Sequence, residues 1–135
     1  MLPDLRQAKP FDGTGDYDFE EEREEFIARV TAQGYRVVFP GDNQLQIDID
    51  SAEQYAAFDK AVLRWNRNAE PFAVEEHPSM SGLPRRHITL TLPYAVTPWQ
   101  RIALQAAFGS DPVRELLSAV RLQRRDPHPT LFVED

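Results

Sequence analysis

From Leu45 to Asp50 apolar and polar residues alternate without a break, Leu-Gln-Ile-Asp-Ile-Asp. That two-residue period belongs to a half-buried β-strand, so Leu45, Ile47 and Ile49 are expected to face a core while Gln46, Asp48 and Asp50 project from the other face. His87 to Leu92 repeats the pattern, with Ile88, Leu90 and Leu92 on one face and His87, Thr89 and Thr91 on the other. Between these two stretches Tyr55, Phe58, Val62 and Trp65 recur at three- and four-residue steps, which predicts a helix from about Ala52 with one buried stripe. Ser51 caps it and Gln54 is placed for a capping box. Phe72 to His77 reads as a further strand, so the local order is strand, helix, strand, strand.

The flanks are less regular. Residues 1–17 carry Pro3, Pro10, Gly13 and Gly15 and read as an extended or mobile lead-in. Asp18 to about Gln33 has the spacing of a helix ended by Gly34, and Tyr35 to Phe39 reads as a strand. The turn residues Pro40-Gly41-Asp42-Asn43 suggest that this strand forms a hairpin with the aspartate strand. After Pro93 two helices are expected, the first with Trp99, Ile102, Ala103, Ala106 and Ala107 packed inward, the second with Val113, Leu116, Leu117 and Val120. Arg124 to Pro129 reads as irregular and Thr130 to Val133 as a short final strand. The expected fold is α+β: one domain over residues 18–135, a mixed β-sheet with helices packed on one face, and C-terminal helices. Its exposed face would carry Asp48, Asp50 and His87 together.

Composition narrows the chemistry. Among the 135 residues there is no cysteine, which excludes disulfides and thiolate metal sites. Any metal would be held by oxygen or imidazole, pointing to Mg²⁺ or Mn²⁺. The net charge of −7 argues against a protein that coats duplex DNA. Residues 1–34 hold nine acidic and four basic side chains, and the segment from Leu83 onward holds seven arginines against five acids. No apolar run is long enough to span a membrane and no signal-peptide pattern opens the chain, so a cytoplasmic protein without a membrane partner is the expectation.

Two carboxylates two residues apart on a strand stand roughly 6 to 7 Å apart along it, a spacing from which both can converge on divalent cations. By itself an Asp-x-Asp is more often a solvated strand face or a helix cap. Taken with the helix from Ala52, the strand Phe72 to His77, and Ser79-Met80-Ser81-Gly82 leading to His87 at the head of another strand, it resembles the core of archaeo-eukaryotic primases and primase-polymerases, over about residues 35–93. The resemblance implies an RNA-recognition-motif-like core and two-metal nucleotidyl transfer in DNA replication. Asp48 and Asp50 would then be the Mg²⁺ or Mn²⁺ ligands, with Ser81, Gly82 and His87 contacting nucleotide phosphate, and the substrates would be a nucleoside triphosphate and single-stranded nucleic acid. Such a short chain would be a minimal or degenerate relative, of the kind phages and mobile elements encode. Arg85 and Arg86 join the phosphate contacts on charge and position alone.

The chain departs from that family in two ways. Pro84 stands where a glycine would let a backbone amide approach phosphate, and no third acid is evident, since Asp111 opens a predicted helix, Asp126 lies in the irregular tail, and Glu134 and Asp135 come last in the sequence. The alternative is a non-catalytic, acidic α+β interaction module that binds a replication or nucleic-acid-processing protein, using the run Glu20 to Glu25. Metal-dependent phosphodiester cleavage by the same carboxylates is a third reading.

Overall fold

The strand with the two aspartates is β2, Gln44–Ile49, and it pairs antiparallel with β4, Arg86–Thr91. On the other side of β4 runs β3, Ala73–Pro78, also antiparallel to it. β2 and β3 are therefore parallel to each other, are joined through α2, Ala52–Asn68, and have β4 inserted between them, a split β-α-β arrangement. These elements belong to a computed structural model that describes residues 18–68, 72–78 and 85–134. The lead-in over residues 1–17 and the loop containing Ser81 and Gly82 lie outside the described residues.

The predicted register holds. Leu45 lies opposite Leu90, Ile47 opposite Ile88 and Asp48 opposite His87. Leu45, Ile47, Ile49, Ile88, Leu90 and Leu92 are buried with Phe58 of α2, and Tyr55, Val62, Trp65 and Phe72 pack around them. Each fully buried aliphatic side chain of this kind contributes about 1.5–3 kcal/mol. Slipping β2 by one residue would exchange this seam for Gln46 and Asp48, which fixes the pairing.

The remaining elements are α1 (Phe19–Ala32), β1 (Arg36–Val38), α3 (Pro98–Ala107), α4 (Pro112–Gln123) and β5 (Phe132–Glu134), giving an α+β protein with two small antiparallel sheets among its described residues. The expected hairpin between β1 and β2 is not formed. β1 pairs instead with β5, and Phe26 and Val30 of α1 cover that pair against Val133. The turn at Gly41 closes locally, through Gln44 N–H to the Gly41 carbonyl at 3.0 Å, and Arg101 of α3 binds the same carbonyl at 2.8 Å.

The α3–α4 pair runs along the outer edge of β2 and supplies what a further strand would have supplied. Arg101 Nε donates to Gln44 O at 2.9 Å, Gln46 N–H to Gln105 Oε1 at 2.8 Å, and Arg114 Nη1 to Gln46 O at 2.6 Å. Asp48 N–H donates to Ser110 Oγ at 3.0 Å, and Asp111 N–H to Asp48 O at 2.8 Å. This demand for polar partners turns both helices away from the register that their apolar residues suggest. Ile102 faces inward as expected, but so do Gln105, Arg114, Glu115 and Ser118, whereas Trp99, Val113 and Leu116 are exposed. The tail after α4 is irregular, as expected, and anchors α1: buried Asp126 accepts from Arg121 Nε at 2.9 Å and from Arg23 at 3.3 Å, and Arg121 also pairs with Glu22.

Candidate metal centre

Asp48 leaves the polar face of β2 and Asp50 follows at the strand's end. Asp111 reaches them from across the chain because its own N–H pairs with the Asp48 carbonyl, as a strand residue would. It is the N-cap of α4, its Oδ1 accepting from Val113 N–H at 3.4 Å. Asp48, Asp50 and Asp111 each offer a carboxylate oxygen, and these atoms all lie within 4.8 Å of one another. The Asp48 side chain is 21% exposed and that of Asp50 42%, so the group opens to solvent on one side. The Asp50 N–H is tied to Gln54 Oε1 at 2.6 Å, which fixes the start of α2 beside the group.

Three carboxylates gathered in this way repel. Burial pushes the Asp48 carboxyl up to about 6, Arg114 offsets part of the rise, and Asp50 and Asp111 add to it. Asp50 is raised as well, by burial and then by Asp111, against the pull of Arg85. The donor set is all oxygen and matches the hard divalent cations Mg²⁺ and Mn²⁺. Neighbouring ligands on a six-coordinate Mg²⁺ stand about 3 Å apart, so small side-chain rotations would bring the three oxygens onto one ion.

His87 comes beside Asp48, as predicted, but not on an open face. It is 8% exposed, stacked flat on Phe132 of β5 with ring centroids 4.0 Å apart and planes 1° from parallel. Its Nε2 lies 3.8 Å from Asp48 Oδ1 and its Nδ1 lies 3.7 Å from Glu134 Oε1, with no hydrogen-bond partner for Nδ1. Burial, reinforced by the nearby Arg114, lowers its pKa to about 4, so the ring is neutral near pH 7 and the contact with Asp48 is not an ion pair. β5 covers the face that alternation alone had left open.

Of the two arginines expected at phosphate, Arg85 has its Nε 4.0 Å from Asp50 Oδ1 and borders the group. Arg86 does not. Strand alternation sends it to the α2 side, where it pairs with Glu76 at 3.2 Å and stacks over Tyr55 with its guanidinium carbon 4.4 Å from the ring centroid. Ser81 and Gly82 lie outside the described residues. Sequence reasoning set aside both Asp111 and Glu134 as a third acid, and gave Arg114 no place beside the pair. The available signal was the polar set Gln105, Ser110, Asp111, Arg114 and Glu115, spaced to share one side of the α3–α4 pair.

Fold and site together define a small α+β protein with a carboxylate triad at a sheet edge. Searches against protein-family models, curated proteins and solved structures found no match. No helix among the described residues is long and apolar enough to cross a membrane.

Proposed function

We propose that this chain binds Mg²⁺ or Mn²⁺ at Asp48, Asp50 and Asp111 and uses it in phosphoryl transfer, as a diverged primase-polymerase-like nucleotidyltransferase acting on a nucleoside triphosphate and single-stranded nucleic acid. The observation that carries the reading is the convergence of the three carboxylates, in which Asp111 is the candidate for a third acid. The split β-α-β order with the acidic pair on its first strand supports the same lineage, although in place of a fourth strand, as in an RNA-recognition motif, α3 and α4 border β2. His87, buried against Phe132, borders the same group with its Nε2 3.8 Å from Asp48 Oδ1. A bound cation would supply Lewis-acid stabilisation of charge on phosphate oxygens. The chain's own part is to hold three carboxylates in place and to offer Arg85 beside them for a phosphate.

The test is a Mn²⁺ titration of wild type with and without a nucleoside triphosphate. Binding that tightens with nucleotide and disappears in Asp48→Asn/Asp50→Asn agrees with the reading, and an identical response in the double variant contradicts it. A second reading, the acidic interaction module, draws on the exposed Glu20, Glu21, Glu24 and Glu25 of α1. It predicts no nucleotide-dependent metal binding, and capture of a replication protein that weakens when the charges along Glu20 to Glu25 are reversed, with the effect shrinking in salt.

A further inference from the structure

We infer that His87 is a positioning residue for the Asp48 carboxylate, held behind the cation site by the ring of Phe132. The inference rests on the cation reading of Asp48, Asp50 and Asp111. His87 and Asp48 are direct cross-strand partners, so their side chains leave the same sheet face side by side. The imidazole cannot swing freely, because it lies flat on Phe132 and its Nδ1 edge is turned toward Glu134. Its Nε2, 3.8 Å from Asp48 Oδ1, is close enough to engage that oxygen after a small shift or through one water. Engaging one oxygen fixes the carboxylate's rotation and leaves the other free for an ion, as groups behind metal ligands commonly do.

Packing alone does not account for a histidine here. A phenylalanine would stack on Phe132 equally well without burying an unpaired Nδ1. Phe132 also contacts the guanidinium of Arg114, its carbon 4.8 Å from the ring centroid, and Arg114 holds β2 through Gln46. The clamp and the strand that carries Asp48 are thus fixed to the same side chain.

The experiment compares Mn²⁺ affinity and Tm in wild type, His87→Phe, His87→Gln and Asp48→Asn, and follows the His87 Nε2 resonance by ¹⁵N NMR during Mg²⁺ addition. The expected result is a His87→Phe protein of equal or higher Tm whose Mn²⁺ affinity falls about 10–100-fold. His87→Gln should recover part of that affinity through its side-chain amide, and the wild-type Nε2 resonance should move with Mg²⁺. Wild-type affinity in His87→Phe, with binding lost in Asp48→Asn, overturns the role of His87 and leaves the cation reading intact. Absence of Mn²⁺ binding by wild type at millimolar concentration overturns both. Should His87→Phe fail to fold, Phe132→Leu loosens the clamp while keeping both nitrogens, and unchanged affinity there together with an unmoved Nε2 resonance overturns the proposal.

Discussion

The two sides of β2 are built on opposite chemistry. Leu45, Ile47 and Ile49 contribute area to an apolar seam, where contacts are non-directional and one lost side chain leaves its neighbours in place. Gln46 and Asp48 instead meet Arg114, Gln105 and Ser110 through directional bonds, and the buried Glu115 accepts from all three of those side chains. Removing one member of such a network orphans the others. The seam determines which way the strand faces, and the network determines what is brought to its outer edge, Asp111 included.

The largest effect should come from Arg114, which is 1% exposed and binds Gln46 O, Gln46 Oε1, Glu115 Oε2 and Leu131 O. Arg114→Ala leaves a buried Glu115 uncompensated and should cost about 3–5 kcal/mol by chemical denaturation. Ile47→Ala on the other side should cost about 2–5 kcal/mol, the loss of transfer energy plus a cavity. Adding Glu115→Gln should recover part of the Arg114→Ala loss and none of the Ile47→Ala loss. Equal recovery in both backgrounds would remove the distinction between seam and network.

Next in size is Asp48, whose folded pKa of about 6 lies above its usual 3.8. A raised carboxyl favours folding most below pH 4 and loses that contribution as pH rises toward 6, so at pH 7 its charge opposes folding. Asp48→Asn should accordingly stabilise the metal-free protein at pH 7 by about 1–3 kcal/mol. His87 has the opposite sign: its folded pKa of about 4 lies below the usual 6.5, so its contribution is complete above pH 6.5 and is lost as pH falls through 4. The two slopes oppose each other between pH 4 and 6. Relative to wild type, Asp48→Asn should show stability rising with pH across that window and His87→Phe stability falling with it, both measured by denaturant midpoints.

The smallest effect belongs to neither side of β2. Arg125 follows α4 with φ of 74°, a left-handed conformation that disfavours a side chain. Arg125→Gly should gain about 0.5–1 kcal/mol, read as a small rise in Tm.

Legibility in the sequence follows the same division. Alternation at Leu45 to Asp50 and His87 to Leu92, and the stripe Tyr55 to Trp65, placed the seam and its register, because burial of apolar area writes a period into the sequence. The network writes no such period. Trp99, Val113 and Leu116 looked like core and are exposed, whereas the polar Gln105, Arg114 and Glu115 are buried, since the edge of β2 selects bonding partners rather than apolar ones. The partnership of β1 with β5 joins residues almost a hundred positions apart, which no local pattern can signal. For the same reason Asp48 and Asp50 could be named from the sequence, while Asp111 read only as a helix cap.

The central claim is that β2 and the start of α4 meet around one cation. Paramagnetic broadening of backbone amide resonances by substoichiometric Mn²⁺ tests it directly, using wild type and Asp111→Asn, a substitution that keeps an effective N-cap on α4 while removing its charge. The account predicts broadening at Asp48 to Asp50 and at Ser110 to Val113 at the same low Mn²⁺ concentration, with both lost together in Asp111→Asn. Broadening centred on Glu20 to Glu25, or broadening near Asp48 that Asp111→Asn leaves unchanged, would contradict it.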